Sequence, residues 1–171
     1  MTIHISDAFR KAFRGHPSGV AVIAADPGER PAAMTVSSLI SVTADPPVVA
    51  FSLSSRSTSS APILRARTMV IHLLQFSDLK LARLAATSGA DRFSGEIPWE
   101  RLPTGEPRYT DVATWFRARQ VGIMPLEGAT LVAAELLDGA VRPEGEVPDC
   151  ESLVYLDREW HLLRNEINSR I

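Results

Sequence analysis

Short apolar segments separated by turn residues recur along this chain and constrain its fold more than any other feature. Residues 19–25 form a predicted buried strand, which the turn signal Asp26-Pro27-Gly28 ends. Further predicted strands lie at about 32–38, 48–53, 69–74, 112–124, 130–137, 153–156 and 160–163. So many short strands with few helices predict a mainly β protein, an antiparallel barrel with helices packed outside it. A doubly wound sheet is disfavoured, because its strands and helices would alternate along the chain.

Three segments depart from the strand pattern. Near the N-terminus, Ser6 is a suitable N-cap for a short helix in which Phe9 and Phe13 share one face. Residues 78–87 have the apolar spacing of an amphipathic helix. Residues 98–107 contain proline and glycine and are predicted to form a loop. The two helices are candidates for elements that pack outside the barrel.

Composition limits the classes of function open to the chain. Its 171 residues suit one domain spanning residues 1–171, and 45% hydrophobic and 22% charged residues are ordinary for a globular protein. The formal net charge of −2 offers no basic excess for a nucleic-acid backbone. The single cysteine, Cys150, cannot form an internal disulfide, which favours a reducing compartment. Since there is neither a signal-peptide pattern nor a long apolar run, we expect a cytoplasmic protein without membrane association.

A concentration of hydroxyl-bearing residues within positions 33–60 is the most informative local feature. Residues 34–38 have the sequence Met-Thr-Val-Ser-Ser, and residues 54–60 have the sequence Ser-Ser-Arg-Ser-Thr-Ser-Ser. Alternate residues of a strand face the same side, so Thr35 and Ser37 should lie together. Hydroxyls at these positions either bind the polar edge of a flat ligand or simply suit a strand end and a turn.

The second of these runs precedes a predicted helix. Because proline is tolerated in the first turn of a helix, Pro62 places the helix start near Ser59 or Ser60, and either serine can cap it. A polar loop at the positive end of a helix can bind an anion, and Arg56 could add a charge-assisted contact to a phosphate. A solvent-exposed serine-rich turn has the same composition, so both interpretations remain open.

The remaining candidates for chemistry give weaker signals. The four histidines have no metal-ligand spacing and the chain has one cysteine, so no metal site is predicted. His72 lies in an apolar strand, where a hydrogen-bonded core histidine is the commoner case. Trp99 and Trp115 are expected to serve in packing or at an interface. No Gly-x-Gly-x-x-Gly motif opens a helix, so a dinucleotide would have no binding domain of its own.

Eight segments spread over nearly the whole chain form an ordered set of motifs. They are His16-Pro17-Ser18-Gly19-Val20-Ala21-Val22-Ile23, Met34-Thr35-Val36-Ser37-Ser38, Ser41-Val42, Asp45-Pro46-Pro47-Val48, Arg56-Ser57-Thr58-Ser59, Asp91-Arg92-Phe93-Ser94-Gly95, Leu153-Val154-Tyr155 and Trp160-His161-Leu162. In order and spacing this set resembles the flavin reductase family, whose fold is an antiparallel split β-barrel of the FMN-binding type. Each segment alone is weak, whereas the ordered set is specific.

The resemblance implies an NAD(P)H:flavin oxidoreductase that supplies reduced flavin, often to a partner monooxygenase. It implies FMN or FAD as the flavin, NAD(P)H as co-substrate, and a homodimer whose subunits build the flavin site at their interface. It assigns no catalytic residue, because the nicotinamide passes hydride to the flavin while the protein supplies stacking and orientation. The cofactor-binding residues that it implies are Met34, Thr35, Val36, Ser37, Ser38, Ser52, Leu53, Arg56, Ser57, Thr58, Ser59, Arg92 and Phe93. His161 is a further candidate near the flavin.

One segment departs from the family pattern. The residues Glu127-Gly128-Ala129-Thr130 stand where the family usually carries Gly-Asp-His-Thr, so Ala129 replaces a histidine associated with the nicotinamide side of the site. The segments 34–38 and 56–59, which the resemblance assigns to the flavin ring and its phosphate, match the family pattern. The departure therefore concerns how efficiently the chain uses NAD(P)H. Two alternatives therefore stay open. The alternatives to a flavin reductase are a flavoenzyme of the same fold with another substrate or reductant, and a non-catalytic flavin-binding module.

Overall fold

A seven-stranded antiparallel sheet forms the centre of the fold. The computed structural model describes residues 4–143 and 151–164. In these residues the helices are α1 (Ile5–Arg14), α2 (Ser60–Arg65) and α3 (Leu79–Ala86), and a 3-10 turn, Phe76–Asp78, leads into α3. The strands are β1 (Ser18–Gly19), β2 (Ala21–Ala25), β3 (Ala32–Val36), β4 (Ile40–Ala44), β5 (Pro47–Ser54), β6 (Thr68–Leu73), β7 (Trp99–Arg101), β8 (Pro107–Tyr109), β9 (Trp115–Leu126), β10 (Ala129–Ala140), β11 (Ser152–Leu156) and β12 (Glu159–Leu163).

The strand order shows how the barrel is split. The large sheet has the order β3-β2-β6-β9-β10-β5-β4, and every neighbouring pair in it is antiparallel. Strands β3 and β4 are its edges, so the sheet does not close on itself. Strands β1, β11 and β12 form a smaller sheet, and β7 pairs with β8. The predicted mainly β, antiparallel split barrel with peripheral helices is confirmed.

Strand β2 is buried on both faces and separates two apolar clusters. Ile23 and its alternate neighbours belong to the first cluster, to which α2 contributes Ile63. Val22 and Ala24 belong to the second cluster, to which α3 contributes Leu81. A strand between two packed layers needs apolar side chains on both faces, which explains the continuous apolar run of β2.

Two local predictions are wrong. His4, rather than Ser6, is the N-cap of α1, because its imidazole Nδ1 accepts a hydrogen bond from the Ser6 N–H at 3.3 Å. Residues 98–107 contain β7 and the first residue of β8 rather than a plain loop, and an ion pair of 2.6 Å between Arg108 and Glu100 joins the two strands. Neither cross-strand pairing nor a histidine cap has a strong local signal.

The strands predicted from the sequence do not include β4. Within the described residues this edge strand pairs only with β5, and all five of its residues are exposed, including Ile40 and Val42. Its sequence, Ile-Ser-Val-Thr-Ala, alternates apolar and polar residues as a strand does, but its apolar side chains face away from the core. Cys150 lies outside the described residues. Within the described part of the chain, each helix is too short or too polar to cross a membrane.

Candidate functional site

The hydroxyl-rich segments of the sequence meet at a cleft of about 320 Å³, which we call the rim cleft. It lies where β3 ends beside the end of β5 and the start of β10. Its lining residues are Met34, Thr35, Val36, Ser37, Ser38, Ser52, Ser54, Gly128 and Ala129. The structure therefore brings together all five predicted residues of the β3 segment with Ser52. It does not bring Leu53 there, because that side chain lies in the first apolar cluster.

Strand register brings the three walls of the rim cleft together. In the antiparallel pair of β5 and β10, Ser54 lies opposite Ala129. The end of β3 is tied to β5 by Ser38, whose hydroxyl accepts a hydrogen bond from the Ser52 N–H at 2.9 Å. Ala129, where the family histidine would stand, is therefore part of the same cleft as the β3 hydroxyls.

The hydroxyls of the rim cleft differ in what they already bind. Thr35 donates its hydroxyl hydrogen to the carbonyl oxygen of Ala82 in α3 at 2.7 Å. Ser52 donates its hydroxyl hydrogen to Ser38 at 3.2 Å. The Ser37 side chain makes no hydrogen bond to any described residue, and it is exposed. The Ser54 hydroxyl accepts a hydrogen bond from the Arg56 N–H at 3.3 Å, so Ser37 is the rim-cleft hydroxyl without a partner among the described residues.

The expected alternation along β3 is confirmed. Thr35 and Ser37 both line a second, smaller cavity of about 200 Å³ beside Tyr155 and Trp160. The same two residues line the rim cleft, so they form the boundary between the two spaces. The aromatic pair Tyr155 and Trp160, whose ring centroids are 4.8 Å apart, lines this second cavity and not the rim cleft.

The polar loop before α2 is held largely by its own hydrogen bonds. The carbonyl oxygen of Ser54 accepts hydrogen bonds from the Ser57 N–H at 3.1 Å and from the Ser60 hydroxyl at 2.6 Å. The Ser57 hydroxyl accepts a hydrogen bond from the Ser59 N–H at 3.3 Å. These contacts fold the loop back on itself. The exposed Arg56 side chain makes no hydrogen bond or ion pair with the described residues.

Ser59 occupies the N-cap position of α2, as predicted, but its hydroxyl makes no capping hydrogen bond. The residue instead lines a cavity of about 580 Å³, which we call the Arg92 cavity. Its wall also includes Arg30, Thr58, Trp99 and the segment 89–93. Thr58 and Ser59 thus face the same space as the predicted Arg92 and Phe93, whereas Arg56 and Ser57 do not line it.

Arg92 is engaged with the end of α3. Its guanidinium donates hydrogen bonds to the carbonyl oxygens of Ala85, Ala90 and Thr87 at 3.2, 3.1 and 2.8 Å. Carbonyls at a helix C-terminus lack partners within the helix, and a guanidinium satisfies them well. Arg92 therefore shapes the wall of the cavity, and its contact with a cofactor stays a prediction.

Phe93 belongs to an aromatic group in the same wall. Its ring stacks on Tyr109 with centroids 5.4 Å apart and meets Trp99 edge-on at 4.9 Å. The Trp99 indole N–H donates to the Phe93 carbonyl oxygen at 3.1 Å. The expectation that Trp99 serves in packing is confirmed. The role of Phe93 toward a cofactor stays a prediction.

Buried polar contacts behind this wall hold it in place, and the sequence did not reveal them. The Tyr109 hydroxyl donates to the Arg92 carbonyl oxygen at 2.8 Å, and the Tyr109 N–H donates to His72 Nε2 at 3.0 Å. His72 Nε2 is then an acceptor, so Nδ1 carries the hydrogen and donates to the Val22 carbonyl oxygen at 3.1 Å. His72 is fully buried, which confirms the predicted core histidine.

Burial also decides the charge of this pair. It lowers the pKa of His72 to about 4, and the Arg108 charge acts in the same direction while the hydrogen bond to Val22 opposes it. Burial raises the pKa of Tyr109. Both groups are therefore neutral at pH 7, and the imidazole serves as a fixed hydrogen-bonding bridge between β2 and β8.

The remaining sequence candidates have local contacts. His161 Nε2 lies 3.1 Å from the Leu156 carbonyl oxygen, within its own β11–β12 hairpin. Trp115 lies under the Arg108 guanidinium, 4.7 Å from the ring centroid. Within residues 4–143 and 151–164, no three side chains of metal-ligating type come together as a metal site would require.

Comparison with known proteins gives a consistent match. Residues 13–163 match the model of the flavin reductase like domain family. An NADH:FMN oxidoreductase from Rhodococcus qingshengii is 37% identical over 124 residues, which are 72% of this chain and 65% of that protein. The chain thus spans just under two thirds of the length of that relative.

Two further matches extend the comparison. A stachydrine N-demethylase reductase subunit from Rhizobium meliloti is 33% identical over 110 residues, 64% of this chain and 47% of that protein. The crystal structure of a flavin reductase domain protein from Arthrobacter sp. FB24 superposes with a TM-score of 0.86 at 26% identity, over 97% of this chain and 99% of that chain.

Proposed function

This chain belongs to the family of flavin reductase-like domains, and we propose that it is an NAD(P)H:flavin oxidoreductase. One observation carries the proposal. The matched β3 motif, Ser52 and Ala129 come from three strands, and they meet in one cleft with an unpaired hydroxyl at its edge. Both FMN and FAD carry the ring system and the first phosphate for which these residues are suited.

The residues of the rim cleft suit a flavin ring. Its pyrimidine edge carries carbonyl and N–H groups, which the Ser37 hydroxyl and the backbone of residues 36–38 can meet as donors and acceptors. A bound flavin supplies the capacity to accept a hydride, which no side chain here offers. The chain's own residues bind the flavin and orient its ring. Ser38 and Ser52 fix the end of β3, and Thr35 fixes β3 to α3.

The phosphate end is assigned to the loop before α2. Ser57, Thr58, Ser59 and Arg56 supply hydroxyls and one cation within four consecutive residues. Charge-assisted and hydroxyl hydrogen bonds of this type are suited to phosphate oxygens. Arg92 and Phe93 are assigned to the covering wall, with Arg92 acting through its hold on the end of α3. Met34, Val36 and Leu53 contribute backbone and packing on the ring side.

Flavin titration combined with nicotinamide oxidation tests this function. We expect purified protein to bind FMN or FAD and to oxidise NADH or NADPH when free flavin is in excess. Ser37→Ala should weaken flavin binding, whereas Ser41→Ala, on the exposed strand β4, should not. Tight flavin binding without oxidation of either nicotinamide would favour the non-catalytic module or another reductant, for which Ala129 is the reason. Absence of flavin binding would refute the proposal.

The flavin site is proposed to be shared between two copies of the chain. Residues 121–126 of β9 extend beyond the end of β6 and pair only with β10 within the described residues. Along this arm Val121, Ile123, Met124 and Leu126 are each at least half exposed. An unpaired strand edge with exposed apolar side chains favours association. Leu126 lies opposite Ala129 in the β9–β10 pair, so a second copy on the arm would lie beside the rim cleft.

Sedimentation at decreasing protein concentration tests the shared site. We expect flavin to dissociate as dimers separate, because each cleft would lose one wall. Ile123→Lys should produce monomers with weak flavin binding. Val141→Lys, at another apolar residue that is more than half exposed and lies beyond the other end of β10, should leave the dimer intact. A monomer that remains fully loaded with flavin would contradict the proposal.

The proposed physiological role is to supply reduced flavin to a partner monooxygenase. Similarity to a protein named as the reductase subunit of a demethylase supports such a division of labour. Reduced flavin must leave the site for this role, and the open rim cleft permits it. A dialysis membrane that separates this protein from the oxygenase distinguishes diffusion of reduced flavin from transfer within a complex. Oxidation of the oxygenase's substrate across the membrane would show diffusion.

A further inference from the structure

A cleft of about 620 Å³ lies outside the flavin-binding residues assigned above except at Ser37 and Ser38. We call it the arginine cleft. Its walls are the second half of α1 with residues 16–19, the segment 37–40, and the β11–β12 turn at 155–158. None of its residues lines the Arg92 cavity, so it is separate from the predicted phosphate end of the flavin.

The arginine cleft concentrates positive charge. Arg10, Arg14 and Arg158 all line it, together with His16 and the carboxylate-bearing Asp157. Arg10 pairs with Asp7 at 2.9 Å at the surface. The guanidinium groups of Arg14 and Arg158 have no acidic partner among the described residues. Of the charged residues that line the cleft, three are arginines and one is an aspartate, so cations predominate and an anionic ligand would relieve their mutual repulsion.

The protein fold, rather than sequence proximity, places Arg158 beside Arg14. The Asp157 N–H donates a hydrogen bond to the Arg14 carbonyl oxygen at 2.8 Å, which docks the β11–β12 turn on the end of α1. Asp157 and Arg158 have φ values of 52° and 66°. Two consecutive positive φ values are typical of type I′ hairpin turns, in which glycine is favoured at the second position. Arg158 occupies that position although it is not a glycine, and it lines the cleft.

The arginine cleft is continuous with the site assigned to the flavin ring. Ser37 and Ser38 line both the arginine cleft and the rim cleft. Tyr155 lines the arginine cleft and the small cavity on the far side of Thr35. The half-exposed Phe13 adds an aromatic face, on which a purine can stack. A ligand with one end on the ring would therefore extend its other end between the arginines.

We propose that the arginine cleft binds the phosphorylated part of the nicotinamide dinucleotide, so that Arg14 and Arg158 contact its phosphate oxygens while the nicotinamide reaches the rim cleft. The proposal rests on the proposed function, because that function identifies the group that the nicotinamide meets in the rim cleft as a flavin ring. The phosphate oxygens belong either to the diphosphate common to NADH and NADPH or to the 2′-phosphate of NADPH. Arg14 and Arg158 both lie within the segment 13–163 that matches the family model, whereas Arg10 precedes it.

Binding and kinetics of the variants Arg14→Ala, Arg158→Gly and their combination test the proposal. Glycine at 158 adopts the positive φ without strain, so the turn should keep its fold while losing the guanidinium. Lys11→Ala is the matched control, because Lys11 is a basic residue of the same helix that does not line the cleft. Calorimetry measures binding of NAD+ and NADP+ to each variant with FMN present and with FMN absent, and KM is measured for NADH and NADPH.

We expect the double variant to bind the dinucleotide at least about tenfold more weakly and to show a matching rise in KM, with the FMN dissociation constant unchanged. Lys11→Ala should change neither. A larger loss for the NADP(H) pair assigns the arginines to the 2′-phosphate, and equal losses assign them to the diphosphate. Unchanged dinucleotide affinity, or a parallel loss of FMN affinity, would overturn the proposal. Failure of the wild type to bind flavin would instead refute the proposed function, and calorimetry without flavin would still report on the cleft.

Discussion

The buried pair His72–Tyr109 and the hydroxyl-rich rim of the cleft are both polar, yet they differ in what their hydrogen bonds do. Both ring nitrogens of His72 and both donors of Tyr109 have partners inside the protein. Ser37 in the rim cleft and Arg56 in the loop before α2 have side chains that bind no described residue. The first region holds strands and the 91–93 segment in place, and the second offers groups to a ligand. Mutations should therefore affect stability in one region and ligand affinity in the other.

The largest effect is expected from removal of the Tyr109 ring. Tyr109→Ala should lower the free energy of unfolding by about 3–5 kcal/mol, because a fully buried aromatic side chain is lost. Ser37→Ala should change it by less than about 0.5 kcal/mol, because the side chain is exposed. Urea unfolding measures both. A comparable loss of stability in the two variants would contradict the expected difference between the buried pair and the exposed hydroxyls.

Lowering the pH should lower the free energy of unfolding, because His72 is buried in its neutral form. Its pKa is lowered from 6.5 to about 4 in the folded protein, so between these pH values the unfolded chain binds a proton that the folded chain does not. The stability due to the neutral imidazole is therefore present above pH 6.5, falls as the pH drops toward 4, and changes no further below it. The loss corresponds to roughly 3 kcal/mol.

The control for this pH effect is His72→Gln, which can keep the hydrogen bonds to Val22 and Tyr109 without titrating. Carboxylates titrate in the same range, so the measured quantity is the difference in unfolding free energy between wild type and variant. We expect that difference to shift against the wild type as the pH falls from 7 to 4. A difference independent of pH would show that His72 is not the titrating group.

At the rim, the phosphate assignment is tested by changing Ser57 and Ser59 together to alanine. We expect FMN affinity to fall about tenfold while riboflavin, which lacks the phosphate, binds almost as before. Ser55→Ala is the matched control, because Ser55 is an exposed serine of the same loop that precedes the segment 56–59 to which the phosphate is assigned. Fluorescence titration with each ligand gives the ratio of the FMN and riboflavin dissociation constants for every variant. Equal losses for FMN and riboflavin would place the phosphate elsewhere.

The smallest effect is expected from Ala129→His. A histidine at this position of the rim cleft should lower KM for NADH or NADPH by about two- to fivefold, since one added polar contact contributes modestly. Glu127→His, in the adjoining turn and outside the cleft lining, is the control. An unchanged KM for both nicotinamides would show that the family histidine is not what this chain lacks.

Local sequence patterns were sufficient where the structure depends on neighbours in the chain. The alternation of Thr35 and Ser37, the start of α2 near Ser59 and the buried run of β2 all follow from strand and helix periodicity. The ordered motifs predicted the family and the split barrel. The first three features could be predicted because each is determined by residues within a few positions of one another, whereas the family and the barrel followed from the order of motifs along the chain.

The tertiary structure alone decided which distant residues meet. The hydrogen bond between His72 and Tyr109, the position of Ala129 opposite Ser54, and the meeting of Arg14 with the β11–β12 turn depend on strand register and on how the turn docks. Register is set by the packing of whole strands against two apolar clusters, which no short segment encodes by itself. The sequence therefore determined the family and the chemical character of the rim, and the fold determined which hydroxyls and arginines remain available to a ligand.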